Sequence, residues 1–361
     1  MKKVSLILFS ILVVFACHHK PKPSDEKNFD LKGMLNNIGT NIIVPSYTAL
    51  QNGVNDLSVA TDTFVNNPNV LNLQDLRNKF KQAYLHWQSC DIFEFGPATN
   101  VSLRANLNVY PTDTTKIQNN IQTAFFNVDY LSNSTAKGFP AIDYLLYYDN
   151  KTDGEVVAYY LTASTATNRK QYLQALVLSI KTKVDNVVLA WNTYLSTFIN
   201  SNGYSLGSSA SLLLNAMNEY FERYLRDGKI AIPVGIKSLG VALPEQTEAY
   251  YGKFSAELLN QSIQSFQNLY LGKYGNTDGL GFDDHLVAFD ASATNETLKN
   301  NIADAVSACY SLGDPLSQTI ISNQSSVESV YTKLQKVVLP LKSDMPSALG
   351  ILLTYQDNDG D

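Results

Sequence analysis

Two carboxylates on one predicted helix face are the residues whose types and spacing could support binding chemistry. Apolar residues recur at steps of three and four through Phe80, Tyr84 and Trp87, and the same spacing continues to Asp91 and Glu94. Both acidic side chains are therefore expected to point towards the protein interior. Because buried charges are costly unless they are paired or hydrogen-bonded, these two carboxylates need a compensating partner.

Arg104, in the connection that follows, is a candidate for that partner. One hypothesis is an acidic, partly buried pocket of Asp91, Glu94 and Arg104, suited to a hard cation or a polar ligand because such cations prefer carboxylate oxygens. The alternative is a structural network of salt bridges and helix caps. The spacing alone is compatible with both.

The histidine content argues against a zinc peptidase. Such an enzyme needs about three protein ligands, usually imidazoles with a carboxylate, and a base for the water. After the N-terminal segment the chain contains only His86 and His285, and it has no His-Glu-x-x-His motif. His285 follows Asp283 and Asp284, a cluster that could hold a cation or begin a helix. The cofactor is unknown: a divalent or iron cation stays open, whereas zinc is not expected.

The segment Lys137–Tyr148 (KGFPAIDYLLYY) predicts the start of a helix. Gly138 can adopt a positive φ, and Pro140 fixes φ near the value of a first helical turn. Asp143 is expected in the first turn, where the helix macrodipole favours a negative charge. The apolar residues that anchor this helix in a core are Ile142, Leu145 and Leu146.

The Lys137–Tyr148 segment resembles the signature segment of the imelysin family, also catalogued as a peptidase family, whose usual form is Gly-x-His-x-x-Glu followed by Tyr or Phe and two leucines. Here Pro140 occupies the histidine position and Asp143 the glutamate position. Further stretches resemble the family in the same order along the chain: 42–47 (IIVPSY), 87–97 (ending in FEFGP), 224–235 (ending in Ile-Pro-x-Gly), 349–353 (LGILL) and 357–361 (DNDGD).

The resemblance implies two helical-bundle domains with a cleft beneath the signature segment, and it brings the FEFGP end near Asp143. The ligand site implied in this way consists of Asp91, Glu94, Arg104, Gly138, Pro140 and Asp143. If a metal binds, Asp143 and Glu94 are the expected ligands.

The family includes proteins described as metallopeptidases, and relatives occur in bacterial iron-uptake systems where the His-x-x-Glu pair is implicated in metal binding. Because Pro140 carries no side-chain ligand, we expect a non-catalytic binding module linked to iron or another nutrient. The alternatives are a divergent metallopeptidase that uses carboxylates and one histidine, and a structural partner of an uptake system.

The first sixteen residues predict a lipoprotein signal peptide. Two lysines are followed by the short apolar stretch Val4–Val14 and by Val-Phe-Ala-Cys, which resembles a bacterial lipobox. Cleavage after Ala16 would leave Cys17 as the lipidated N-terminal residue of a polar tether. The alternative is an ordinary secretory signal with an incidental cysteine. We therefore expect a protein of the cell envelope, anchored through Cys17 to the outer membrane and facing the periplasm or the cell surface.

The charge balance argues against nucleic acid as a partner. The 361 residues include 27 basic and 33 acidic side chains, a net charge of −6, which becomes −8 if Lys2 and Lys3 leave with the signal peptide. The chain therefore lacks the excess of basic residues that is typical of nucleic-acid-binding proteins. The remaining partners are the membrane, through the lipid anchor, and an unidentified small-molecule or metal ligand.

All strong hydrophobic periodicities are helical, which predicts an all-α fold of two packed helical-bundle halves. The firmest amphipathic stretches run from Leu73 to Trp87 and from Tyr172 to Phe198. Asp113 is the predicted N-cap of a helix that continues from Ile117 to Leu131, and residues 229–240 are predicted as a loop. No alternating run flanked by hairpin turns is evident.

The Gly- and Ser-rich stretch 201–209 is the predicted boundary between the halves. The predicted organisation is a signal peptide (1–16), a lipidated cysteine and tether (17–29), an N-terminal half (30–200), a linker (201–209), a C-terminal half (210–356) and an acidic tail (357–361). Cys90 and Cys309 lie in different halves, where either a disulfide or two buried free thiols would be compatible with an oxidising compartment.

Overall fold

The computed structural model describes residues 29–355. The predicted signal peptide, Cys17, nearly all of the tether and the acidic tail lie outside the described residues. Between 29 and 355 the fold is all-α apart from one short hairpin, as predicted. No helix in that range combines the length and the apolar character needed to cross a membrane.

The first half of the described chain forms nine α-helices. They are α1 (Leu31–Asn37), α2 (Val44–Asn66), α3 (Val70–Gln88), α4 (Pro97–Asn100), α5 (Leu103–Leu107), α6 (Thr114–Thr123), α7 (Gly138–Tyr147), α8 (Asp153–Leu161) and α9 (Ala166–Asn200). A π-helical stretch, Ile38–Ile43, joins α1 to α2, and short 3-10 turns occur at Asp91–Phe93 and Leu131–Asn133.

The second half begins after the loop that follows Asn200. Its α-helices are α10 (Ser209–Glu219), α11 (Ile232–Val234), α12 (Ser255–Tyr270), α13 (Phe282–Ala288), α14 (Ser292–Tyr310), α15 (Leu316–Ser322), α16 (Gln324–Leu339) and α17 (Met345–Leu349). Strands β1 (Lys273–Tyr274) and β2 (Thr277–Asp278) pair antiparallel. Tyr220–Ala231 and Pro340–Asp344 are π-helical, and Ile236–Ser238 and Pro244–Gln246 are 3-10 turns.

Helix α3 lies at the centre of the packing. It packs along α2 in its own half and against α12 of the second half. The predicted stripe from Leu73 to Trp87 is confirmed, because each of its apolar residues is fully buried. Buried side chains of both halves belong to one continuous hydrophobic core, so α3 connects the two halves through apolar contact.

The beginning of α6 agrees with the sequence prediction, but its end does not. The Asp113 side chain accepts a hydrogen bond from the backbone N–H of Lys116, which confirms the predicted N-cap. The helix stops at Thr123, because Ala124 adopts a positive φ of 56°. Phe125 is consequently 87% exposed, so the prediction that this helix continues to Leu131 was wrong.

The prediction of a loop over residues 229–240 was wrong in its first part. The π-helical stretch Tyr220–Ala231 passes through Gly228 and leads directly into α11. Ile230 and Ala231 are fully buried in this stretch, and tertiary packing therefore outweighs the low helix propensity of glycine. The hairpin formed by β1 and β2 was also missed, because two-residue strands leave no alternating pattern.

Cys90 and Cys309 are both buried free thiols. Of the two alternatives left open by the sequence, the structure therefore contains the unpaired form. Burial raises the pKa of the Cys90 thiol, and the neighbouring Asp91 carboxylate raises it further. Both effects favour an inert, protonated side chain that packs as a small apolar group.

Candidate functional site

The start of α7 is fixed by a close backbone contact that only glycine permits. Gly138 has a φ of +76°, as predicted, and a Cβ at this position would overlap the carbonyl oxygen of Leu107 at the end of α5. The first half of α7 is therefore pressed against α5. Every residue from Gly138 to Asp143 is buried.

Pro140 faces a very small cavity. Together with Asp143, Thr112 and Tyr251 it lines a space of about 20 Å³, which is room for about one water molecule. Residues 245–251 of the loop before α12 line the other side of this cavity, which is much smaller than a usual ligand site. The larger ligand cleft expected beneath the signature segment stays a prediction.

The Asp143 carboxylate is bonded to the backbone of the second half. Its Oδ2 accepts from the N–H of Tyr251 and its Oδ1 from the N–H of Gly252, both at 2.9 Å. Burial raises the pKa of Asp143 to about 7, because the two N–H donors offset the cost of desolvation only in part and the Glu248 carboxylate raises the pKa further. Asp143 lies in the second turn of α7, so its predicted interaction with the helix start was wrong.

Asp91 and Arg104 form a buried ion pair. Arg104 Nε lies 2.5 Å from Asp91 Oδ1, and a second guanidinium nitrogen donates to the backbone carbonyl of Asp91. The guanidinium carbon also lies 3.8 Å from the ring centroid of Tyr224. Burial raises the pKa of Asp91, and Arg104 opposes this shift. The expectation that Asp91 faces the interior is confirmed, although α3 ends at Gln88 and a 3-10 turn carries Asp91.

Glu94 contacts the same arginine but remains partly exposed. Its Oε2 accepts a hydrogen bond from the backbone N–H of Arg104 at 3.1 Å. Burial raises the pKa of Glu94, Arg104 lowers it, and the carboxylates of Asp91 and Glu219 raise it. Glu94 thus contacts Arg104 of the buried ion pair and also lines a surface groove.

That groove lies between the two halves of the chain. Its volume is about 630 Å³, and its lining residues are Glu94, Phe95, Gly96, Thr99, Asn100, Leu212, Asn215, Ala216, Glu219, Thr354 and Tyr355. The loop before α4 and α4 itself form one wall, α10 forms the other, and the segment after α17 crosses at one end. Asn215 holds this segment in place, because its side-chain oxygen accepts from the N–H groups of Thr354 and Tyr355.

The structure separates the predicted site residues into two groups. Asp91, Glu94 and Arg104 come together as expected, whereas Pro140 and Asp143 line the small cavity and Gly138 packs against Leu107 of α5. Within residues 29–355, no hydrogen bond or ion pair connects the second group to the first. In the same range, no three His, Cys, Asp or Glu side chains are grouped so that they could hold a metal ion. The joint metal site of Asp143 and Glu94 stays a prediction.

A buried polar network near Asp143 was missed by the sequence analysis. Lys229 donates to Glu248 in an ion pair whose side chains are only 3% and 2% exposed. Glu248 Oε1 also accepts from Gln88 at 2.9 Å and from Asn108 at 2.7 Å. Tyr84 in turn donates to Asn108 at 2.6 Å. These partners are up to 160 residues apart, and no local pattern marks Lys229 or Glu248 as buried.

His285 is part of an aromatic cluster. Its ring stacks on Phe29 with centroids 4.3 Å apart, and its Nε2 lies 3.0 Å from the hydroxyl of Tyr204. Burial lowers the pKa of His285 to about 4, which favours the neutral ring. The neighbouring Asp284 caps α13 by accepting from the N–H of Gly281. These contacts support the helix-start alternative for this acidic turn.

The family model described as imelysin, of the M75 peptidases, matches residues 43–342. The chain belongs to the imelysin family. It is 22% identical over 319 residues to a curated relative, iron-regulated protein A from Synechococcus elongatus. The matched residues cover 83% of each chain.

Two solved structures share the imelysin fold of this chain. A protein from Parabacteroides distasonis, described as a putative iron-regulated protein A precursor, superposes with a TM-score of 0.73 at 15% identity, covering 92% of this chain and 97% of that one. An imelysin-like protein from Psychrobacter arcticum gives a TM-score of 0.70 at 16% identity, with coverages of 90% and 97%.

The residues at the positions of the family's His-x-x-Glu pair do not fit a metal ion in this imelysin. Pro140 has no side-chain ligand atom. Both oxygens of Asp143 already accept backbone hydrogen bonds. The Asp143 carboxylate therefore binds the loop before α12, and among residues 29–355 no two further His, Cys, Asp or Glu side chains are grouped with it to complete a metal site.

Proposed function

We propose that this imelysin is a non-catalytic binding protein, lipid-anchored in the cell envelope and linked to iron or another nutrient. The groove lined by Glu94 is its ligand site. The observation that carries this proposal is the groove itself, whose volume of about 630 Å³ lies within the range of roughly 300–1,000 Å³ usual for small-molecule sites. Its position between two halves is also usual for such sites.

The side chains of the groove favour a cationic or metal-bearing ligand. Glu94 and Glu219 line its walls, and the Glu219 carboxylate raises the pKa of Glu94. Arg104 opposes this shift at Glu94, and Arg223 pairs with Glu219 at 3.3 Å, so a bound cation would relieve only the repulsion that these two arginines leave. Amide and hydroxyl oxygens of Thr99 and Asn100 add neutral ligand atoms of the kind that hard cations accept. The name of the Synechococcus relative, iron-regulated protein A, supports a link to iron.

The membrane anchor rests on the lipobox-like sequence that ends at Cys17. Metabolic labelling of cells with an alkynyl fatty acid tests this part of the proposal. The wild-type chain should incorporate the label and fractionate with membranes, and Cys17→Ser should abolish both. Labelling that persists in Cys17→Ser would show that the anchor was assigned to the wrong residue.

Binding of iron(II) to the purified protein under anaerobic conditions tests the ligand site. After dialysis against ammonium iron(II) sulfate, we expect retained iron that falls at least tenfold in Glu94→Gln. Glu328→Gln, at an exposed position on α16, is the matched control and should retain iron like the wild type. Equal retention in all three proteins, or none in the wild type, would overturn the assignment of this groove to an iron-bearing ligand.

The same preparation separates the two alternative functions. Hydrolysis of a peptide library that a chelator abolishes and serine-protease inhibitors do not would establish a divergent metallopeptidase. Co-purification with a transporter component, in an amount that Glu94→Gln leaves unchanged, would favour the structural partner.

A further inference from the structure

A second cleft lies at the C-terminal end of α7. Its volume is about 240 Å³, and it shares no lining residue with the groove at Glu94. Three separate segments meet in it: residues 149–150 after α7, residues 244–253 before α12, and residues 317–321 of α15. Because its volume is below the usual range for drug-sized ligands, it fits a single small ring rather than an extended molecule.

The backbone around this cleft is strained. Tyr148 and Asn150 on one side have φ values of 51° and 55°, and Ala249 and Lys253 on the other have values of 50° and 59°. Positive φ costs about 1–3 kcal/mol for non-glycine residues, and such residues persist where surrounding structure fixes them, often at ligand sites. Here the Asp143 carboxylate fixes the second wall by accepting hydrogen bonds from the backbone N–H groups of Tyr251 and Gly252.

Several polar side chains in the cleft have no hydrogen-bonding partner among the described residues. Asp149, Asn150, Lys253 and Gln318 form no side-chain hydrogen bond or ion pair with any of residues 29–355, and neither does the hydroxyl of Tyr250. They offer one carboxylate, one ammonium group, two amides and one phenol. The charges of Asp149 and Lys253 cancel, so the cleft presents many donors and acceptors without net charge.

An aromatic ring forms part of the wall. Tyr250 packs edge-on against Tyr251, with centroids 5.1 Å apart and planes at 85°, and Tyr251 packs against Tyr144 of α7. These contacts restrict the orientation of the Tyr250 ring. Pro244 and the largely exposed Ile321 add apolar surface. Aromatic and apolar faces surrounded by hydrogen-bonding groups suit a ligand that is itself amphipathic.

We propose that this cleft binds a neutral pyranose ring of a glycan. The C–H face of a sugar ring is weakly positive and packs against the negative face of an aromatic ring such as Tyr250. The hydroxyl groups of the sugar both donate and accept, so they match Asp149, Asn150 and Gln318 together. A ligand with a net charge would be repelled by one of the two opposite charges in the cleft, whereas a neutral polyol can use both.

Saturation-transfer NMR on the full protein tests this inference. The probes are methyl β-glucoside, methyl β-galactoside, methyl α-mannoside and methyl β-N-acetylglucosaminide. We expect transfer to the ring protons of at least one of them. Tyr250→Ala and Gln318→Ala, on opposite walls, should each raise its Kd at least tenfold, whereas Tyr130→Ala, at a tyrosine 62% exposed elsewhere, should leave it unchanged.

Two variants keep the test informative if one of them folds poorly, and melting temperatures identify that case. Absence of transfer to every sugar would overturn the inference. So would binding that both cleft variants retain, or binding that Glu94→Gln abolishes, because the sugar would then occupy another site. Since the iron test uses Glu94 and this test uses Tyr250, failure of one proposal is distinguishable from failure of the other.

Discussion

The N–H of Gly252 donates to Oδ1 of Asp143, and a Cβ on Gly252 would lie 2.6 Å from that same oxygen. Gly252 is therefore required because a side chain would not fit beside Asp143. Its backbone conformation does not require glycine, since its φ is not in the left-handed region. Through this contact the second turn of α7, in the first half of the chain, is joined to the loop before α12 in the second half.

Gly252→Ala should destabilise the protein by about 2 kcal/mol or more, since either the Asp143 carboxylate or the loop must move and at least one buried hydrogen bond is weakened. Urea unfolding followed by circular dichroism measures this change. Gly154→Ala is the control, because a Cβ at Gly154 in the first turn of α8 meets no atom within 4 Å. Equal unfolding midpoints for the two variants would contradict the proposed contact.

Gly138→Ala separates the effect of close packing from the effect of a positive φ. Gly207 has a φ of +84° but open space around it, whereas Gly138 is also pressed against Leu107. We expect Gly207→Ala to cost about 1 kcal/mol from backbone strain alone. Gly138→Ala should cost about 2 kcal/mol more, because α7 must move away from α5. Similar costs at both positions would mean that α7 can shift freely.

These glycines show how far the sequence could predict the structure. The positive φ of Gly138, the stripe on α3 and the Asp113 cap follow from residues close in the chain, and each prediction was right. The contact between Asp143 and Gly252 spans 109 residues, and no local sequence pattern predicts it. The expectation that Asp143 meets Glu94 came from the family resemblance, because the relative placement of α7 and the loop after α3 is not contained in local periodicity.

The pH dependence of stability should carry a contribution from Asp143. Its pKa of about 7 in the folded protein exceeds the value of about 4 for an unfolded aspartate, so the folded state binds more protons between these pH values. The free energy of unfolding should therefore decrease as pH rises from about 4 to 7, by an amount on the order of 4 kcal/mol from this group.

Comparison with Asp143→Asn isolates that contribution. The difference in unfolding free energy between the wild type and Asp143→Asn should change across this pH window in favour of the variant at higher pH. Asp75→Asn, at an exposed position of α3, should run parallel to the wild type. A constant difference between Asp143→Asn and the wild type from pH 4 to 7 would show that Asp143 titrates normally.

Removing one partner of the buried Asp91–Arg104 pair should be costly. Arg104→Met leaves the Asp91 carboxylate unpaired in the core, at an expected cost of about 3–5 kcal/mol. The double variant Asp91→Leu/Arg104→Met should recover part of that loss, because no isolated charge remains. Lys79→Met, which breaks the exposed pair with Asp56, should change stability by less than about 1 kcal/mol. No recovery in the double variant would contradict this account.

The network around Lys229 and Glu248 has a practical consequence for dissecting the protein. Gln88 and Asn108 come from the first half, and their hydrogen-bonding partner Glu248 comes from the second. Cutting the chain at 201–209 would expose these polar groups together with the apolar face of α3 that meets α12. Neither half is therefore suited to separate expression as a soluble fragment, although the loop between them resembles a natural cloning boundary.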